Sequence, residues 1–162
     1  MNEERDELLL EEDTQKNKYL TFSLDGEMYG IEIRYVTEII GMQAITRVPE
    51  LPDYIRGIIN LRGKIIPLMD VRLRFHKDEK PYDDRTCIIV VDIEGLFIGL
   101  IVDMVTEVMN ISEQDIVETP DIGTGVQSRF ISGIGKVDDE VKLLLDCRNL
   151  LSEADMQELK SA

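Results

Sequence analysis

Apolar residues in this chain fall in short runs broken by turn residues at intervals of about ten positions, the pattern of a protein made of many short strands. Residues 19–24 alternate apolar and polar, Asp25-Gly26-Glu27 turns the chain, and residues 29–33 return as a second strand, with Gly30 marking a bulge or a close backbone approach. Val36, Ile39 and Ile40 fit either a helical turn or, given their β-branched crowding, a bent strand. Pro49 and Pro52 punctuate a loop, and Pro52-Asp53 predicts the start of a short helix over residues 53–59. Asn60-Leu61-Arg62-Gly63 reads as an exposed connection ending in a glycine turn, followed by an apolar strand over 64–71. Residues 76–84 are polar and contain Pro81. Beyond them, 87–91 and 97–102 read as strands joined by a Glu94-Gly95 turn, 121–125 as a flexible loop and 141–145 as a strand. Ser152-x-x-Asp155 is an N-cap pattern for a helix ending near Lys160. The fold class predicted is mainly β, in two small paired barrels.

The pairing follows from a duplication. Residues 28–40 return 69 positions later as 97–109, which places Gly26 on Gly95, Gly30 on Gly99, and Val36-Thr37-Glu38 on Val105-Thr106-Glu107. Further on the offset is 76. Tyr54-Ile55-x-Gly57-Ile58 meets Phe130-Ile131-x-Gly133-Ile134, and Leu68-Met69-Asp70-x-Arg72 meets Leu144-Leu145-Asp146-x-Arg148. One small fold made twice directs attention to the positions where the copies differ. The predicted organisation is an acidic tail over 1–17, lobe one over about 18–83, lobe two over about 84–151, and a terminal helix over 152–162, with exchange of strands between lobes left open.

Composition narrows the function classes. The 162 residues are 43% hydrophobic, enough for a real core, but contain no Trp and only 6% aromatics, so aliphatic side chains fill it. The first 18 residues hold seven acidic and three basic groups, with Leu8-Leu9-Leu10 their one apolar run, so no secretory signal is read there. No stretch approaches the ~18 apolar residues of a membrane span. Cys87 and Cys147 lack a pairing pattern and suit reduced thiols in a cytosol. The net charge of −15 opposes nucleic acid, whose binding needs a basic face. The charge is uneven, however: residues 47–85 carry nine basic and seven acidic groups, whereas 1–46 carry four and eleven and 86–162 five and fifteen. A locally basic middle on an acidic body suits docking to other proteins.

Catalytic chemistry finds little support. His76 is the single histidine and sits in the polar junction; both thiols lie among residues that favour burial. There is no metal-ligand spacing, and Gly123-x-Gly125 lacks the rest of a phosphate loop. The difference between copies is more informative. Opposite Asn60-Leu61-Arg62-Gly63 the duplicate has Lys136-Val137-Asp138-Asp139, so Arg62 is not needed to build the unit. Two readings fit it equally: a guanidinium satisfying turn carbonyls, or a planar multi-donor anchor for a partner. Ile39 and Val108 are equivalent positions; core is the expectation for Ile39, and Val108 stays open between core and interface.

Tyr29-Gly30-Ile31, Val36-x-Glu38-Ile39, Ile45-Thr46-Arg47-Val48-Pro49, Tyr54-Ile55-x-Gly57-x-x-Asn60-Leu61-Arg62-Gly63-x-Ile65-x-Pro67-x-x-Asp70 and Gly99-Leu100-Ile101-Val102-Asp103-x-Val105 form an ordered set that resembles the CheW family of bacterial chemotaxis coupling proteins. The likeness runs from about Tyr19 to Leu151, and Gly-x-x-Asn-Leu-Arg-Gly is its most specific part. It implies two SH3-like five-stranded β-barrels with a hydrophobic groove between them. It also implies a non-catalytic, cofactor-free adaptor in the cytoplasm, recruited to membrane-anchored receptor arrays without inserting in the membrane. The implied partners are chemoreceptors (methyl-accepting chemotaxis proteins), at their cytoplasmic tips, and the regulatory domain of the histidine kinase CheA. Carried over residue by residue, the resemblance associates Val36, Glu38, Arg62 and Val108 with receptors and Gly57 with the kinase. The acidic tail and the cysteines lie outside the family pattern.

Overall fold

The computed structural model of the chain describes residues 15–118 and 129–151. The predicted tail up to residue 14, the loop over 121–125 and the terminal helix over 152–162 lie outside the described residues.

Among the described residues the elements run β1 (Lys18–Leu24), β2 (Glu27–Glu32), β3 (Val36–Gly41), β4 (Ile55–Leu61), β5 (Lys64–Asp70), the helical turn α1 (Val71–Arg74), β6 (Cys87–Ile93), β7 (Leu96–Val102), β8 (Met104–Asn110), β9 (Ile116–Val117), β10 (Ile131–Val137) and β11 (Glu140–Leu145). Short 3₁₀ turns occupy Ile33–Tyr35, Glu113–Asp115 and Cys147–Asn149. The mainly β class is observed. The helix expected over 53–59 is instead strand β4. Its Ile55, Ile58 and Ile59 favour extended backbone, and its burial alternates with Ile55, Gly57, Ile59 and Leu61 inward, a period of two that no helix presents. At Pro52-Asp53 the chain makes a turn in place of the expected helix start, closed by Ile55 N–H donating to the Pro52 carbonyl at 2.9 Å. The connection after it is tighter than expected: Leu61 is buried at the strand end and only Arg62 and Gly63, at φ +50° and +88°, make the turn. The 36–40 segment is the bent strand, with a register irregularity between Val36 and Glu38.

The strands form a six-stranded sheet in the order β8-β1-β2-β11-β10-β9 and a five-stranded sheet in the order β3-β6-β7-β5-β4. The duplication shows in the pairing itself. β1 pairs antiparallel with β8 through Leu20↔Val108, and 69 positions on, β6 pairs with β3 through Ile89↔Ile39. β2 pairs parallel with β11 through Gly30↔Leu144, and β7 with β5 through Gly99↔Leu68. Each copy therefore gives its first two strands to one sheet and its remaining strands to the other. The parallel crossing explains Gly30 and Gly99: a Cβ on Gly30 would stand 3.0 Å from Leu144 Cδ2, and one on Gly99 2.5 Å from Leu68 Cδ2.

Edge strands of each sheet are joined by the chain between them. After β3, Thr46 bridges Ile58 of β4 with hydrogen bonds of 2.9 and 2.8 Å, and after β8 the two-residue β9 pairs with Ile134 and Gly135 of β10. Ile58 and Ile134 are equivalent, so in each sheet the chain leaving one edge strand returns to pair at the same place on the far side. The sixth strand in one sheet is this closing segment long enough to count as a strand. The main core lies between the two sheets and takes in Leu20, Phe22, Tyr29, Ile89, Val91, Ile98, Leu100 and Phe130. Its aromatic rings run Phe22–Tyr29–Phe75–Phe130, with successive centroids 5.7, 5.7 and 5.2 Å apart. A second cluster, including Ile59, Leu61, Ile66, Leu68, Ile88 and Val90, belongs to the five-stranded sheet, and Tyr19, Ile111 and Leu144 form a third in the other. β1, β2, β6 and β7 are thus apolar on both faces, which is why their sequences read as runs as much as alternations.

Candidate protein-binding surface

β3 and the β4–β5 turn bring two of the singled-out residues together. Glu38 stands mid-strand on β3, and Arg62, first residue of the turn, reaches across with Nη2 donating to Glu38 Oε1. The pair spans from one edge strand of the five-stranded sheet to the other. Arg62 does not satisfy turn carbonyls: the turn is held by Gly63 N–H donating to Asn60 Oδ1 at 2.9 Å. Its side chain is 71% exposed, so the guanidinium keeps donors available to a partner. Beside this pair Val36 turns inward against the core, while Ile39 is 44% exposed, contrary to the core position expected of it. β3 is an edge strand beyond its bulge, and the outward half of the alternation has no layer to pack on.

Val108 is 52% exposed and lies on β8, the edge strand of the other sheet, equivalent in place to Ile39. The structure therefore groups Glu38 with Arg62 and sets Val108 on a different sheet. Thr37 and Thr106, which the copies share, serve the fold itself. Their hydroxyls donate to the carbonyls of Val90 and Thr21 at 3.1 and 3.0 Å, holding the two edge-strand irregularities in equivalent ways.

Gly57 is buried at φ +144°, and a Cβ there would run into the Thr46 carbonyl and stand 2.7 Å from Ile45 Cγ2. Backbone geometry dictates glycine, and the residue offers no side chain to a partner. Its neighbour Ile58 does: with Val48, Leu51, Ile65, Pro67 and Phe97 it lines an open apolar cleft of about 440 Å³, with Lys64 Nζ 4.1 Å from the centre of the Phe97 ring. The cleft was not expected from the sequence, where Ile65 reads as part of an apolar strand; its side chain is instead 59% exposed on β5.

Arg72 and Asp103 each stand in a sequence motif, but their pairing with one another was not expected. Arg72 donates from Nε and Nη2 to the two Asp103 carboxylate oxygens at 2.7 and 2.8 Å, from Nη1 to the Asp78 carbonyl at 3.1 Å, and reaches Asp25 at 3.4 Å. Asp103 in turn accepts from Asp25 N–H at 2.9 Å. Burial alone would raise the Asp103 pKa, but the guanidinium and that N–H hold it below the usual carboxylate range. The cluster ties the β1–β2 turn to α1 and the β7–β8 junction.

For nucleophilic chemistry the geometry is unfavourable. Cys147 is buried, and burial first, with Asp146 and Glu32 adding, pushes its thiol up to about 12. Cys87 Sγ donates to the Arg85 carbonyl at 3.3 Å. Among the described residues no group of three or more His, Cys, Asp or Glu side chains is arranged to hold a metal ion, and no helix is long and apolar enough to cross a membrane. What the surface offers is an exposed ion pair, exposed aliphatics on two edge strands and an apolar cleft: the means of binding proteins.

Residues 18–155 match the family profile described as the CheW-like domain. The chain is 33% identical over 144 residues to the chemotaxis protein CheW of Klebsiella aerogenes, covering 89% of this chain and 87% of that protein. It is 32% identical over 143 residues to CheW of Bacillus subtilis, covering 86% and 90%. Among solved structures, the scaffolding protein TtCheW from Thermoanaerobacter tengcongensis superposes with a TM-score of 0.78 at 40% identity, covering 86% of this chain and 90% of that one.

Proposed function

We propose, from the premise that this chain belongs to the CheW-like domain family, that it is a non-catalytic chemotaxis adaptor coupling the cytoplasmic tips of chemoreceptors to a CheA-type histidine kinase. The observation that carries the proposal is the Glu38–Arg62 pair: an exposed, multi-donor cation held at the closure of a barrel by an acid on the opposite edge strand, at a turn whose fold does not need it. Receptor helices would lay apolar side chains against Ile39 and Val108, with Arg62 and Glu38 fixing register. Val36 supports that surface from behind. The kinase domain would dock on the cleft beside Gly57, where Ile58, Leu51 and Val48 supply apolar contact. Gly57 acts there through the backbone path it permits. The adaptor works in the cytoplasm and reaches the membrane through the receptors it binds. Individually weak contacts suffice, because linkage within an array raises effective concentration.

Co-sedimentation with receptor-bearing membranes, with and without the cognate kinase and with autophosphorylation followed, tests the reading. Recruitment and activation of kinase only when this chain is present is the expected result. A folded chain that binds neither partner would overturn it.

A further inference from the structure

β4 and β10 each bulge at one residue, between Ile55 and Gly57 in the first copy and between Ile131 and Gly133 in the second. A bulge leaves its extra residue outside the ladder and re-aims the side chain. In the second copy that residue is Ser132, whose hydroxyl donates to the carbonyl of Leu144 at 3.3 Å, within its own sheet. In the first copy it is Arg56. The bulge can therefore be built without a cation, and Arg56 is a difference between the copies that the fold does not require.

Arg56 lines a recess of about 350 Å³ together with Met42, Gln43, Ile45, Arg47 and Tyr82. Four of these come from the β3–β4 connection, which the Thr46–Ile58 bridge holds against β4, and Tyr82 is fixed by its hydroxyl, donating to Asp70 Oδ2 at 2.9 Å. Arg47 is exposed and, among the described residues, forms no ion pair. Arg56 is partly buried, and its Nη2 donates to Glu79 Oε1 at 2.8 Å. Glu79 belongs to the polar junction rather than to a strand and its side chain is 61% exposed, so this pair is of the screened kind that contributes little to folding. Two cations lining one cavity suit an anion, and Glu79 shows that Arg56 accepts a carboxylate. Met42 and Ile45 offer apolar contact to the stem of a side chain that carries one.

We propose that this recess receives an acidic side chain of a docking protein, with Glu79 holding Arg56 until that side chain displaces it. Charge selects the occupant. Residues 47–85 carry nine basic and seven acidic groups, with an excess of acid on either side of them in a chain of net charge −15. An acidic partner is repelled over most of the surface and attracted here, which orients its approach. The contact is separate from the Glu38–Arg62 pair, because Arg56 stands six residues before Arg62 along β4, about 20 Å at a strand's rise of about 3.3 Å per residue.

The test is titration of the full chain with the end-capped peptide Leu-Glu-Glu-Leu, against Leu-Gln-Gln-Leu at equal ionic strength, read from the Nε–Hε resonances of Arg47 and Arg56. Saturable shifts with the acidic peptide alone are expected. Arg47→Gln should weaken that binding by about threefold, and Glu79→Gln should strengthen it by a similar factor because the competing carboxylate is gone. Lys136→Gln removes one positive charge from an exposed position on β10 and should leave the affinity unchanged. All three positions are exposed, so these variants keep the fold. Four results would each overturn the site: no saturable binding of the acidic peptide; equal weakening by Lys136→Gln and Arg47→Gln, which would reduce the effect to net charge; an affinity unchanged by Glu79→Gln; or saturation of the two resonances by inorganic phosphate and not by the peptide.

Discussion

Arg62 and Gly57 lie five positions apart on one hairpin, yet the physics of replacing them is opposite. Arg62 is exposed, and its ion pair with Glu38 is of the solvent-screened kind that contributes little to folding. Alanine there keeps the same Cβ at the same positive φ, so Arg62→Ala is expected to change stability by less than about 1 kcal/mol while weakening receptor coupling. Gly57→Ala places a Cβ against the Thr46 carbonyl at a φ that L-residues avoid, and should cost roughly 2–4 kcal/mol in urea denaturation. Any accompanying loss of kinase binding would then follow the loss of fold. A Gly57→Ala chain as stable as the wild type would refute this account. The two residues were equally visible in sequence, through one motif, and what differs between them was not. Whether a motif glycine serves contact or backbone is decided by a carbonyl eleven positions away, at Thr46.

At the level of elements, the strands β1, β2, β6 and β7 were legible because their apolar positions and Gly-containing turns are local signals. β4 was misread because Pro52-Asp53 is a genuine helix-start signal and the competing signal, three isoleucines pairing with β5, becomes decisive only once β5 is alongside. The Arg72–Asp103 cluster had no local signal, since its partners are 31 positions apart. It carries a pH prediction. The folded-state pKa of Asp103 is depressed, so its contribution to stability is present above the ordinary carboxylate range and is lost as pH falls through the folded value. Asp103→Asn leaves Arg72 buried beside a neutral side chain and should cost about 3 kcal/mol at pH 7. The gap between wild type and variant should narrow as the pH is lowered toward about 3, below the ordinary carboxylate range. A gap independent of pH, measured by denaturant unfolding at each value, would show that the carboxylate charge is not what the cluster uses.

For the molecule as a whole, the reciprocal pairing decides how the duplicated units depend on each other. In the first copy, β1 and β2 have hydrogen-bonding partners in β8 and β11 of the second, while β3 and β5 have partners in β6 and β7. Neither copy contains a complete sheet. A chain cut in the polar junction between them would leave each half with two open sheet fragments and half of the inter-sheet core, too little burial to offset the entropy of ordering. Residues 1–85 and 86–162, made separately, are therefore expected to be largely unfolded and aggregation-prone, each with strand edges exposed. Made together, they should recover the native sheets at a concentration-dependent midpoint, since joining them has become a bimolecular step. Circular dichroism of the separate and mixed halves reads this directly. A first half that folds cooperatively on its own would mean that β1–β5 can close a barrel without the second copy. The exchange would then be incidental rather than the basis of the fold.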